Sequence, residues 1–222
     1  MRNREKLLFQ EVSEAIRGVD FGSLPGQAVQ LSMAPAVRID QIKGMGKDGT
    51  PVKSSVLILV YPGVKQDAKL VFIQRPRYDG VHSGQISLPG GRHEPGDLNL
   101  MHTALREARE EIGVQPGKVE VLGQLSDLYI PPSNYLVSSF VGLLGEKPIF
   151  YPDPFEVDRV LELNLIDFLS GNNKTQSPIK LTGGGCFDTP CYQVDSNIIW
   201  GATAMIMAEF LHLLKNGLDE SR

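Results

Sequence analysis

The chain has 222 residues, a length that suits one domain with an accessory segment. Hydrophobic residues make up 41% and charged residues 22%, and the formal net charge is −4 with no basic run. That balance fits a globular protein and excludes the electrostatic footprint of a duplex nucleic-acid binder. No apolar stretch approaches the ~18 residues of a membrane span, and the start MRNREKLLFQEV lacks the apolar core of a signal peptide. Cys186 and Cys191 stand four residues apart without a second pair or a nearby histidine. They read as two reduced thiols of a cytoplasmic protein and not as a zinc site.

Residues 4–17 predict an amphipathic helix with Leu7, Leu8, Val12 and Ile16 on one side. Leu24-Pro25-Gly26 ends it. Residues 27–53 carry turn signals at Gly44, Gly46 and Asp48 to Pro51, and read as an arm. The expected organisation is a helix and arm over residues 1–53 packed on a domain over residues 54–222. Ser55–Tyr61 is an apolar run closed by Pro62-Gly63, which predicts a buried strand, and Leu70–Gln74 completes a hairpin with it. Then follow Arg75, Arg77, Tyr78, His82, Gly84 and Gln85, a short strand Ile86–Leu88, and the turn Pro89-Gly90-Gly91. A guanidinium pairs well with phosphate, so this segment suits either an anion grip or a plain exposed loop.

Next comes Arg106-Glu107-Ala108-Arg109-Glu110-Glu111-Ile112-Gly113. On a helix, Glu107, Glu110 and Glu111 share an arc of roughly 100°. Met101, Ala104, Leu105, Ala108 and Ile112 fill a neighbouring apolar arc. Asp97 or Asn99 is placed to cap the start, and Gly113 to end the helix. Like charges one turn apart cost an isolated helix about 0.2–0.5 kcal/mol per pair, a cost that a cation reverses. Clustered carboxylate oxygens suit a hard divalent ion such as Mg²⁺ or Mn²⁺, although a bare ExxEE also describes a solvated acidic face.

Lys118–Leu125 predicts a strand, Leu128 to Tyr135 a turn-rich loop with two tyrosines, and Leu136–Leu144 another strand. A Pro-rich loop from Phe150 to Glu156 precedes a strand over Val157–Leu163. Leu165–Leu169 predicts a short helix, and residues 171–177 and 183–185 loops. Pro190–Val194 and Asn197–Trp200 predict strands, and Gly201–Lys215 a closing amphipathic helix. A strand and helix mixture with one helix in mid-chain and one at the end fits a helix/sheet/helix sandwich.

The stretch Gly91 to Val114, about a ninth of the 222-residue chain, resembles the signature of the Nudix hydrolase family. That signature runs Gly, five residues, Glu, seven residues, then Arg-Glu-apolar-x-Glu-Glu-x-Gly-apolar. Gly91, Arg106, Glu107, Ala108, Glu110, Glu111, Gly113 and Val114 fit it. Asp97 stands at the first Glu, and eight residues separate it from Arg106. The extra residue resembles the coenzyme A pyrophosphatase branch. That branch carries an upstream motif of two arginines and a glycine ahead of Phe-Pro-Gly-Gly. Arg75, His82, Gly84, Gln85, Pro89, Gly90 and Gly91 fit that motif too. Leu88 replaces its phenylalanine, and Gly80 stands at its second arginine, leaving Arg77 as the candidate for the same phosphate.

The resemblance implies an α/β/α sandwich with a mixed sheet and metal-dependent hydrolysis of a P–O–P bridge in a nucleoside diphosphate linked to another group. Coenzyme A, giving 3′,5′-ADP and 4′-phosphopantetheine, is the first expectation; ADP-ribose or a nucleotide sugar is the second, and a non-catalytic nucleotide sensor the third. It further implies Mg²⁺ or Mn²⁺ held by Glu107, Glu110, Glu111 and the Gly91 carbonyl, with Arg106 steadying Glu107 and Asp97 structural. Arg75, Arg77, His82, Gly84 and Tyr129 are the expected substrate contacts, Glu156 the candidate additional acid, and a homodimer the expected assembly.

Overall fold

Leu57 to Tyr61 form an unbroken apolar run, and all five side chains are buried. Such a run belongs to a strand covered on both faces. It is the centre of strand β1 (Val52–Pro62) in this computed structural model, which describes residues 6–43, 50–76, 84–169, 173–180 and 185–220. Strand β2 (Ala68–Gln74) pairs antiparallel with the end of β1, from Val60 opposite Leu70 to Pro62 opposite Ala68. Strands β3 (Ile86–Ser87) and β4 (Gly90–Arg92) follow. β3 pairs with β2, whereas β4 pairs antiparallel with the beginning of β1, placing Ser55 opposite Gly91. The glycine turn is thus stitched into the sheet.

Strands β5 (Val119–Gln124), β6 (Leu128–Ile130) and β7 (Tyr135–Leu144) come after the mid-chain helix. β7 lies parallel to β1 over its whole length, and β5 and β6 pair antiparallel with β7. Strand β8 (Arg159–Asn164) adds to the outer edge of β2. The sheet is therefore mixed, with eight strands.

Alternation along β1 divides the core in two. Leu57, Leu59 and Tyr61 face Ala104, Ala108 and Ile112 of the mid-chain helix. Ile58 and Val60 face the opposite layer. That layer contains α1 (Phe9–Arg17), the arm helices α2 (Gln27–Gln30) and α3 (Ile39–Lys43), the short α5 (Leu165–Leu169) and the long α6 (Gly201–Glu220). The mid-chain helix is α4 (Leu100–Ile112). The result is a helix/sheet/helix sandwich. A second sheet, β9 (Lys174–Lys180), β10 (Cys186–Val194) and β11 (Asn197–Trp200), stands beside α6.

Residues 174–177 are strand and not the loop expected from their sequence. Lys-Thr-Gln-Ser-Pro shows no apolar alternation, and the pairing with β10 supplies the order instead. Leu128–Ile130, expected as loop, is a strand for the same reason: β7 offers it a partner. Met101 was expected in the apolar arc of α4 but is 38% exposed; in that first turn it is Leu100 that packs against the core. Cys186 is exposed, Cys191 is buried, and both are free thiols.

The arm is fastened by one buried acid. Glu209 of α6 has no exposure, and its carboxylate accepts from Gln30 Nε2 at 2.7 Å and from the Gly26 amide at 3.1 Å. Removing it leaves two donors unmet, at a cost of about 1–3 kcal/mol each. Glu209→Ala is expected to lower the urea midpoint accordingly, and Glu209→Gln to recover only part of the loss, because one amide oxygen replaces the two that accept from Gly26 and Gln30.

Candidate active site

Helix α4 begins where Asn99 Oδ1 accepts the His102 amide at 2.8 Å, and ends at Gly113 with φ 76°. Asn99, not Asp97, is the cap. Asp97 is spent on a different task. Its carboxylate accepts from Arg106 Nε at 2.9 Å and Nη2 at 3.1 Å, from Thr103 Oγ1 at 2.9 Å and from the Glu94 amide at 3.0 Å. These partners, the Arg106 hydrogen bond foremost, hold the Asp97 carboxyl far below the usual range. Arg106 also reaches Glu107 Oε1 at 2.9 Å, Glu110 Oε2 at 2.7 Å and the Arg92 carbonyl at 3.0 Å. One guanidinium thus ties the loop before α4 to the acidic edge of the helix.

The structure brings Glu107, Glu111 and Glu156 together, with one oxygen of each within 4.8 Å of the others. Glu110 stands apart. It is turned toward Arg106, with 47% of its side chain exposed. Spacing on a helical wheel groups it with its neighbours, but Arg106 draws it away from the other two.

Glu156 arrives through the Pro-rich loop. The Tyr151 amide donates to the Ile112 carbonyl at 3.0 Å, and the Asp153 amide to the Glu111 carbonyl at 3.0 Å. Helix ends leave carbonyls without partners, and this loop satisfies them. The same two bonds deliver Glu156 to the acidic edge.

Glu111 is 1% exposed. Its Oε2 accepts from the Gly90 amide at 2.8 Å, and Arg75 Nη2 lies 3.8 Å from its Oε1. Burial nevertheless pushes its carboxyl up to about 8, against the pull of Gly90 and Arg75. Burial likewise raises Glu107, with Arg106 opposing it. Glycine at position 91 is required by space: a Cβ there would sit 2.5 Å from the Glu107 carboxylate.

A pH dependence follows. Unfolded, the Glu111 carboxyl ionises near pH 4.3. Between there and about 8 the folded, cation-free chain keeps a proton that the unfolded chain releases, so stability falls as pH rises through that window. The expected slope is about 1.4 kcal/mol per pH unit. Denaturant titrations in a chelator at pH 5, 6, 7 and 8 measure it, and Glu111→Gln is expected to remove it.

Beyond Gly90 and Gly91 opens a cavity of about 450 Å³. Arg75 lines it, and its Nη2 donates to the Gly90 carbonyl at 3.3 Å. Tyr129 lines it too, but is only 5% exposed, with its hydroxyl bonded to Asn134 Oδ1 at 3.0 Å. Gly84 holds the loop base: its amide donates to the Pro76 carbonyl at 3.1 Å and its carbonyl accepts from Gln74 Nε2 at 3.3 Å. Arg77, His82 and Gly80 lie outside the described residues. Sequence reasoning missed the far walls, which come from the arm at Pro35, Arg38 and Ile42 and from α6 at Thr203 and Met205. No local pattern marks those positions; only the packing of α6 under the arm brings them here.

Comparison with known proteins places the chain in a family. Residues 51–168 match the NUDIX domain model. The mitochondrial coenzyme A diphosphatase NUDT8 of Homo sapiens is 31% identical over 78% of this chain and 73% of its own length. Nudix hydrolase 22, chloroplastic, of Arabidopsis thaliana is 34% identical over 71% of this chain and 53% of its own. The crystal structure of a MutT/nudix family protein from Enterococcus faecalis superimposes with a TM-score of 0.52 at 16% identity, over 87% of this chain and 76% of that one. The chain belongs to the Nudix family. It is a pyrophosphohydrolase by class, and no helix among its described residues is long and apolar enough to cross a membrane.

Proposed function

We propose that the protein cleaves coenzyme A or its derivatives at the pyrophosphate bond, giving 3′,5′-ADP and 4′-phosphopantetheine, with Mg²⁺ or Mn²⁺ as cofactor. The observation that carries the reaction type is the convergence of Glu107, Glu111 and Glu156 beside the arginine-lined cavity. The donor set fits a hard cation. It is all oxygen, and burial first, with the nearby Glu107 and Glu156 carboxylates second, raises the Glu111 carboxyl, a cost that a cation would relieve. Glu107, Glu111 and Glu156 would hold the ion, with the Gly91 carbonyl as the further candidate ligand and Glu110 at the periphery. Such an ion neutralises charge on the transferring phosphoryl group and acidifies a bound water.

The chain's own groups do the rest. Arg75, anchored on the Gly90 carbonyl, directs its guanidinium to the diphosphate. Arg106 fixes the Glu107 carboxylate through Nη2. Glu156, the exposed member of the trio, takes the proton of the attacking water at a carboxylate oxygen. Alignment and charge stabilisation carry most of the rate in such a transfer. The helix and arm of residues 1–53 serve the hydrolase domain of residues 54–222 as a wall of its substrate cavity.

Support for coenzyme A comes from the chain's similarity to the human diphosphatase and from the upstream motif around Arg75 and Gly84. A product screen tests it. Incubation with coenzyme A, ADP-ribose, NADH and diadenosine polyphosphates, with each cation, is expected to release phosphopantetheine. Release of AMP from ADP-ribose alone would overturn the substrate assignment while keeping the reaction type.

A further inference from the structure

Three arginines line the cavity, Arg38, Arg75 and Arg92, and no carboxylate does so among the described residues. The chain as a whole carries a net charge of −4, so this local balance runs against its composition. The remaining wall is largely apolar, with Pro35, Leu128, Pro131, Trp200 and Met205 among its members. A cavity of this kind fits a body with apolar faces that carries negative charge at more than one point.

Arg75 is committed to the diphosphate end, since it stands at Gly90 and Glu111. Arg38 comes from a different quarter. It follows Pro35 on the arm, outside the matched residues 51–168, and its Nη1 bonds Gln41 Oε1 at 3.0 Å on the exposed side. The Glu209 anchor at Gln30 and Gly26 fixes where the arm begins. Met33 and Ala34, both buried, fix the turn just ahead of Arg38. The backbone that carries Arg38 to the cavity wall is therefore held in place, which lowers the entropic cost of a contact made there.

We propose that Arg38 recognises a phosphomonoester on the nucleoside end of the substrate, away from the bond that breaks. This rests on the coenzyme A reading given above, since that substrate carries a 3′-phosphate and its pantetheine end is uncharged. The arm then determines specificity: it distinguishes a nucleotide with a second phosphate from one without. A charge-assisted hydrogen bond of this type changes affinity roughly tenfold to a hundredfold.

Binding of two products, adenosine 3′,5′-bisphosphate and AMP, is the test, measured by calorimetry on the intact chain without turnover. The wild type is expected to bind the bisphosphate at least tenfold tighter than AMP. Arg38→Ala is expected to erase that preference while leaving AMP affinity unchanged, and Arg38→Lys to restore part of it. Arg38 is half-buried, so circular dichroism and a urea midpoint check that both variants keep the fold. An equal loss for both nucleotides, an undiminished preference in Arg38→Ala, or no preference in the wild type overturns the proposal. Failure of coenzyme A in the product screen is read separately, because the binding comparison needs no hydrolysis.

Discussion

Glu111→Gln is expected to lower kcat with coenzyme A by a hundredfold to ten-thousandfold, the range of a lost catalytic carboxylate. The substitution keeps size and an oxygen, so the Gly90 amide retains its acceptor at Glu111 and the fold persists. What disappears is one formal charge from the trio of Glu107, Glu111 and Glu156. Glu110→Gln serves as the internal contrast. Its carboxylate is half-exposed and engaged by Arg106, outside the trio, so the expected loss is under tenfold. Steady-state kinetics on both variants with Mg²⁺ and with Mn²⁺ measure the difference. Equal losses in the two would return Glu110 to the same standing as Glu111.

The second large effect is on stability. Arg106→Ala is expected to cost about 3–5 kcal/mol at pH 7, because it leaves a buried carboxylate without its partner. Asp97 has 1% of its side chain exposed, and two of its hydrogen bonds come from Arg106. Arg106 itself is only 14% exposed, so water does little to screen the pair. The folded carboxyl is depressed, so the stabilisation is complete above the unfolded pKa and fades as pH falls through the range below it. The gap between wild type and Arg106→Ala should therefore narrow below about pH 4. Guanidinium unfolding at pH 7 and pH 3 reads both values.

The sandwich was legible because its strongest elements are local statements. An apolar run closed by Pro62-Gly63 reads as a buried strand, and the spacing of Ala104, Ala108 and Ile112 reads as one helix face. The site was legible in part for the same reason. Glu107 and Glu111 are neighbours on any helix, and Gly91 precedes them. Glu110 shows the limit of that reasoning. A wheel places its Cα correctly, but the direction of its carboxylate depends on Arg106, whose position depends in turn on Asp97 nine residues earlier. Glu156 was singled out as an acid in a Pro-rich loop, yet nothing in that loop states where it docks. The answer lies in the unmet carbonyls of Glu111 and Ile112. Strand β9 and the cavity wall at Arg38 were illegible, since both depend wholly on distant partners.

The docking of Tyr151 and Asp153 on the last turn of α4 has a dynamic corollary. Fraying of that turn also frees the loop, because it displaces the two carbonyls on which the loop is docked. When that turn unwinds the third carboxylate loses its mooring, so an ordered helix end is one condition of an assembled trio. Slow amide exchange at Tyr151 and Asp153, matched to that of Gly113, is the imprint such coupling leaves.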